Sequence, residues 1–150
     1  MMLTPTSSWG FLLLRRPRRI RREGCHTGHM DLRRAVPILT VADVAAAVAE
    51  YQQVLGLEVL MDLGWIATLG TAPGPAGGAA AQFSVISRDA TARVNPDLSL
   101  EVADVDAAHE KARAAGAEIV HPLCDEEWGV RRFFYRARDG QVVNVLSHRA

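Results

Sequence analysis

The sequence predicts an α+β fold built from two tandem βαβββ modules, whose strands form a curved, incompletely closed mixed sheet with the helices outside. Three observations carry this prediction. A segment opening Val41-Ala42-Asp43-Val44 recurs 61 residues later as Val102-Ala103-Asp104-Val105. Each copy closes on a glycine, in Gly56-Leu57-Glu58-Val59 and in Gly116-Ala117-Glu118-Ile119, 60 residues apart. After each glycine come three short runs with strand character. The modules span about 33–88 and 97–148.

In the first module, Val36–Val41 reads as an apolar strand. Asp43 then caps a helix whose Val44, Val48, Tyr51 and Leu55 recur at three- and four-residue spacing on one face. Three strands follow: Leu57–Leu63, Trp65–Leu69 after a turn at Gly64, and Ala80–Ser87 after the Pro/Gly-rich loop Thr71–Gly78. Residues 89–97, with Asn95-Pro96, link the modules.

The second module repeats the order. Leu98–Val102 alternates apolar and polar residues, Asp106–Ala115 is the helix, and Glu118–His121, Arg131–Arg136 and Gln141–Ser147 are strands. Asp139-Gly140 marks a hairpin between the last two. Pro122–Gly129 is expected to be a loop.

Composition narrows the function. The 150 residues are 49% hydrophobic and 23% charged, with 17 basic and 17 acidic side chains. That profile belongs to a globular domain able to hold its core without a metal or disulfide. Two cysteines, Cys25 and Cys124, make no disulfide framework. The neutral total conceals an asymmetry, because residues 1–29 carry six arginines against Glu23 alone, a net of +5, and the remainder carries −5. An acidic body argues against nucleic acid as a partner.

Residues 1–29 are expected to be a disordered basic leader, an over-extended start ahead of Met30. Trp9–Leu14, their apolar run, precedes the arginines, which reverses the order of a secretory signal, and six residues are too few to cross a membrane. Cys25-His26 and His29 resemble the start of a metal site, but no second ligand pair follows at finger-like spacing. A cytoplasmic protein that engages no membrane is the expectation.

Single residues say less than the repeat. His121 precedes Pro122 at an expected strand end and reads as a loop-edge histidine, His148 near the chain end as solvated, and His109 as a helix residue remote from any cavity. Cys124 is followed by Asp125-Glu126-Glu127, a solvated charge run that raises a thiol pKa. Trp65 and Trp128 can face one hollow. Arg131 and Arg132 must point to opposite faces of their strand, so one at most enters a cavity.

Tandem βαβββ modules of this size resemble the vicinal oxygen chelate superfamily of glyoxalase I, bleomycin resistance proteins and extradiol dioxygenases. The resemblance covers about residues 33–148. It rests on Val41-Ala42-Asp43-Val44 with Tyr51 and Val54-Leu55-Gly56-Leu57-Glu58-Val59, and on Trp128-Gly129-Val130-Arg131 with Asp139-Gly140. The second stretch is similar to the Trp-Gly-x-Arg…Asp-Pro-Asp-Gly-Asn pattern of glyoxalase-like members, with Ala137-Arg138 in place of Asp-Pro and Gln141 in place of Asn.

The resemblance implies metal-ligand positions at Val36, Ser84, Asp97 and Asn144, a set poorly suited to zinc or iron because valine offers no lone pair. It therefore implies a small-molecule binder for a drug or metabolite, as in antibiotic resistance, with no metal cofactor. Ligand contact is expected from Trp65, Ser84, Asp97, Trp128, Arg131, Phe134 and Asn144. The alternatives are a metal-dependent lyase, isomerase or dioxygenase using a divalent metal on Asp97 and His121, and a protein with the fold but no ligand. A homodimer is implied by the same resemblance.

Overall fold

Two aspartates start the two helices. Asp43 and Asp104 lie in extended backbone, and their carboxylates accept the N–H groups of Ala46 at 3.0 Å and Ala107 at 2.9 Å. Each satisfies a donor that a helix leaves free at its first turn. In a computed structural model, which describes residues 29–71 and 81–149, the helices so begun are α1 (Val44–Leu55) and α2 (Val105–Ala114). Both are followed by glycine in left-handed backbone, Gly56 at φ 66° and Gly116 at φ 72°, a conformation that strains any residue with a Cβ. The basic leader up to residue 28, and residues 72–78 of the Pro/Gly-rich loop, lie outside the described residues.

The strands are β1 (Leu32–Thr40), β2 (Glu58–Asp62), β3 (Ile66–Gly70), β4 (Gln82–Ile86), β5 (Leu98–Val102), β6 (Glu118–Asp125), β7 (Val130–Arg136) and β8 (Val142–His148). They form one eight-stranded sheet in the order β2-β3-β4-β1-β5-β8-β7-β6, mixed and unclosed. Within each module the strand before the helix lies parallel to the last one, β1 to β4 and β5 to β8. The modules meet where β1 runs antiparallel to β5, with Val36 opposite Ser99 and Pro37 opposite Leu98. One continuous surface thus passes from module to module.

Two strands depart from expectation. β1 begins at Leu32 rather than Val36, because its early residues pair with the far end of β5. β6 runs on to Asp125 rather than stopping at His121. Pro122 in its middle is tolerated because β6 is an edge strand, where a missing N–H breaks fewer ladder bonds. The pairing of β6 with β7 shifts register between Ile119 and His121 and again between His121 and Cys124. His121 is accordingly buried, not at a loop edge, and Cys124 lies in a strand.

Alternation along the strands divides their side chains between two faces. One face packs against the helices: Ala67, Leu69 and Val85 meet Val44 of α1, while Phe133, Val143 and Val145 meet Val105 and Ala108 of α2. His109 of α2 adds an edge contact to Phe133, ring centres 4.9 Å apart. Leu55, expected inward, is 60% exposed, and the packed face of α1 ends at Tyr51. Among the described residues no helix is long and apolar enough to cross a membrane. Phe133 is 1% exposed, so Phe133→Ala is expected to cost about 3–5 kcal/mol in urea unfolding, against about 0.5 kcal/mol or less for Val54→Ala at the 70%-exposed end of α1.

Candidate functional site

The face turned away from the helices is a trough holding a cavity of about 290 Å³. Every second residue of the inner strands enters it: Arg34, Val36 and Ile38 from β1, Gln82, Ser84 and Ile86 from β4, and Asn144, Leu146 and His148 from β8. β3 adds Ile66 and Thr68, and β5 adds Ser99. Both modules therefore build one wall. Leu60, Met61 and Leu63 line the side nearest β2, and they are about 40–50% exposed.

Trp65 and Trp128 come from turns in different modules and meet over this trough, ring centres 5.8 Å apart and tilted by 59°. The turn that carries Trp128 also brings the Arg132 guanidinium 5.1 Å from its ring centre. Phe134, on the next inward position of β7, lies under the same guanidinium at 4.7 Å. Phe134 is fully buried and does not line the cavity. A cation held between two aromatic faces is favoured in proportion to its desolvation, and the Arg132 side chain is only 5% exposed.

That buried cation is answered by two buried carboxylates. Arg132 reaches Asp89 at 2.8 Å and Glu126 at 2.6 Å, while Thr91 hydrogen-bonds to both acids and accepts from Arg132 at 2.7 Å. Asp89 and Arg132 face the cavity. Glu126 also approaches His121 Nε2 at 3.6 Å and Cys124 Sγ at 3.9 Å, and these last two atoms are 3.2 Å apart. Burial, reinforced by the nearby Arg132 charge, pushes the His121 pKa below its ordinary value despite the two acids. Burial and Glu126 push the Cys124 thiol upward, the direction expected from its acidic neighbours.

The remaining polar groups occupy the trough floor. Ser84 and Thr68 share a hydroxyl hydrogen bond at 2.8 Å, and Asn144 Nδ2 donates to Ser99 Oγ at 2.8 Å. The Asn144 carbonyl oxygen is buried without a partner. A buried acceptor left unpaired costs about 1–3 kcal/mol unless something bonds to it.

Of the residues singled out from sequence, Trp65, Ser84, Trp128 and Asn144 line the cavity. Asp97 does not: it is exposed, and its carboxylate accepts the Val142 N–H at 2.8 Å just before β5 begins. Ser99, two residues on, takes the inward position. Arg131 points to the helix side, where it forms a fork with Asp106 and reaches Asp125. These partners raise its pKa and hold that of Asp106 down. Asp89 and Arg132 were not singled out, and Glu126 is buried rather than part of a solvated run. Alternation already required Arg131 and Arg132 to diverge, but the burial of Asp89 in a polar linker has no sequence signal.

The sequence model of the Glyoxalase/Bleomycin resistance protein/Dioxygenase superfamily matches residues 26–145. The chain belongs to this superfamily. Solved structures agree on the fold. A methylmalonyl-CoA epimerase variant from Streptomyces coelicolor, in complex with 2-nitronate-propionyl-CoA, is 21% identical, with TM-score 0.59 over 80% of this chain and 97% of that one. A superfamily member from Vibrio splendidus 12B01 is 18% identical, with TM-score 0.55 over 77% and 98%. A structure described as NAD-dependent benzaldehyde dehydrogenase from Legionella pneumophila is 14% identical, with TM-score 0.60 over 77% and 100%. No curated protein matches the sequence.

The four positions at which the sequence resemblance implied a metal do not present four free ligand atoms here. Val36 presents hydrocarbon, the Ser84 hydroxyl is engaged by Thr68, Asn144 Nδ2 by Ser99, and Asp97 by a backbone N–H outside the cavity. For the buried ion cluster, Arg132→Met is expected to destabilise the protein by about 3–5 kcal/mol in urea unfolding, since two carboxylates lose their counter-ion. Arg131→Met, losing only exposed pairs screened by solvent, is expected to leave the urea midpoint nearly unchanged.

Proposed function

We propose that this superfamily member binds a small, flat, mainly apolar organic molecule, a drug or metabolite, in the trough, without a metal at the superfamily's chelate position. The observation that carries the reading is the unpartnered Asn144 carbonyl in a cavity that the paired indoles of Trp65 and Trp128 also line. The indoles favour an aromatic body, and Asn144 favours an N–H or O–H donor on it. Ser84 and Thr68 offer hydroxyls deeper in the trough. Arg132 contributes a fixed positive face behind Trp128, while its own hydrogen bonds stay with Asp89 and Glu126. Val36 in place of a lone-pair donor supports binding without Lewis-acid chemistry at that point.

The homodimer is part of the same proposal. Leu60, Met61 and Leu63 on the outer side of the cavity are apolar and exposed, and a second copy covering them would complete the cavity wall. Light scattering is expected to give twice the chain mass; a monomer at tens of micromolar protein would remove this part of the proposal.

Bicyclic aromatics bearing one donor, such as indole and 2-naphthol, are expected to raise the melting temperature and quench tryptophan fluorescence on titration. Asn144→Leu should weaken binding by roughly 10-fold or more, as loss of a buried hydrogen bond implies, and Trp128→Ala should weaken it further. Equal affinity in wild type and both variants would exclude the trough as the binding site.

A further inference from the structure

His121, Cys124 and Glu126 do not line the cavity, yet their donor atoms converge. Nε2, Sγ and Oε1 are 3.2, 3.6 and 3.9 Å from one another, and all the ligand atoms lie within 4.8 Å. Tetrahedral zinc, with bonds of about 2.0–2.3 Å, places its ligand atoms roughly 3.3–3.8 Å apart. We propose that His121 Nε2, Cys124 Sγ and a Glu126 carboxylate oxygen form a three-ligand site for a divalent transition metal of the zinc class. The site is built on β6 and the turn after it, outside the lining of the cavity.

The geometry separates a chelate from a nucleophilic relay. In a Cys–His–acid relay the thiol and the acid address opposite ring nitrogens, so that a proton can pass through the imidazole. Here the thiol and the carboxylate both face Nε2. Nitrogen, sulfur and oxygen donors meeting at one point instead suit zinc or cobalt.

Charge and support agree with this assignment. Asp89 and Glu126 outnumber Arg132 in the cluster by one negative charge, counting the imidazole as neutral, the form in which it binds a metal. A divalent ion that displaces the thiol proton to solvent leaves a thiolate, and the cluster then sums to zero. Both His121 and Glu126 are more than nine-tenths buried. His121 packs on Phe134 at 4.8 Å between ring centres, and Glu126 is oriented by Arg132 and Thr91, the outer contacts that position metal ligands.

Cobalt(II) reports the site directly. The full chain carrying Cys25→Ser, which removes the other thiol, is stripped of metal and titrated with cobalt chloride. Expected are one bound equivalent, a near-ultraviolet thiolate-to-cobalt charge-transfer band and visible tetrahedral bands, all bleached by added zinc. Cys124→Ser in that background removes the charge-transfer band. Thr91→Val, an exposed residue whose loss spares the ligands, weakens cobalt binding by roughly 10-fold or more. A chain that gives no charge-transfer band, or a band that survives Cys124→Ser, overturns the proposal.

Discussion

The buried guanidinium of Arg132 is the constraint on which the second half of the molecule depends. A charge taken out of water is tolerable only where opposite charge and hydrogen bonds surround it. Arg132 obtains Asp89 from the linker between modules and Glu126 from the turn before β7, and it lies between Trp128 and Phe134. One side chain thereby positions a linker, a turn, an aromatic lid and an edge strand. Removing a single partner leaves a stranded charge, so the group stands or falls together.

The rest follows from strand alternation on a sheet that is covered on one face only. Residues such as Phe133, Val145, Leu69 and Val85 meet the helices, and their sequence neighbours are free to be polar or aromatic because they face a hollow. Asn144 and Val145 are adjacent and serve opposite ends, one as an orphan acceptor and the other as core. Since β1 and β5 pair across the module boundary, neither module holds the cavity alone.

The fold was legible because it is written twice. The Asp43 and Asp104 caps, the Gly56 and Gly116 stops and the apolar spacing between them are local signals, and each copy supports the other. The site was only partly legible. Ser84 and Asn144 could be placed by counting from module ends, and Trp65 and Trp128 by their cost if left uncovered. Asp97 could be counted but not oriented, since its capture by the Val142 N–H belongs to pairing between distant strands. The His121, Cys124 and Glu126 grouping escaped because β6 carries two register shifts, which turn residues with no common period toward one point.

Those irregularities have a second result. An outermost strand with regular spacing and a full row of N–H and C=O groups is a template on which another chain can form a further strand. On β6 the shifts at Ile119–Cys124 break the spacing, and Pro122 supplies no donor at all. The sheet therefore ends at β6 on a margin that offers a poor template for a further strand, and the contortion that gathers three ligand-type side chains also blunts that edge.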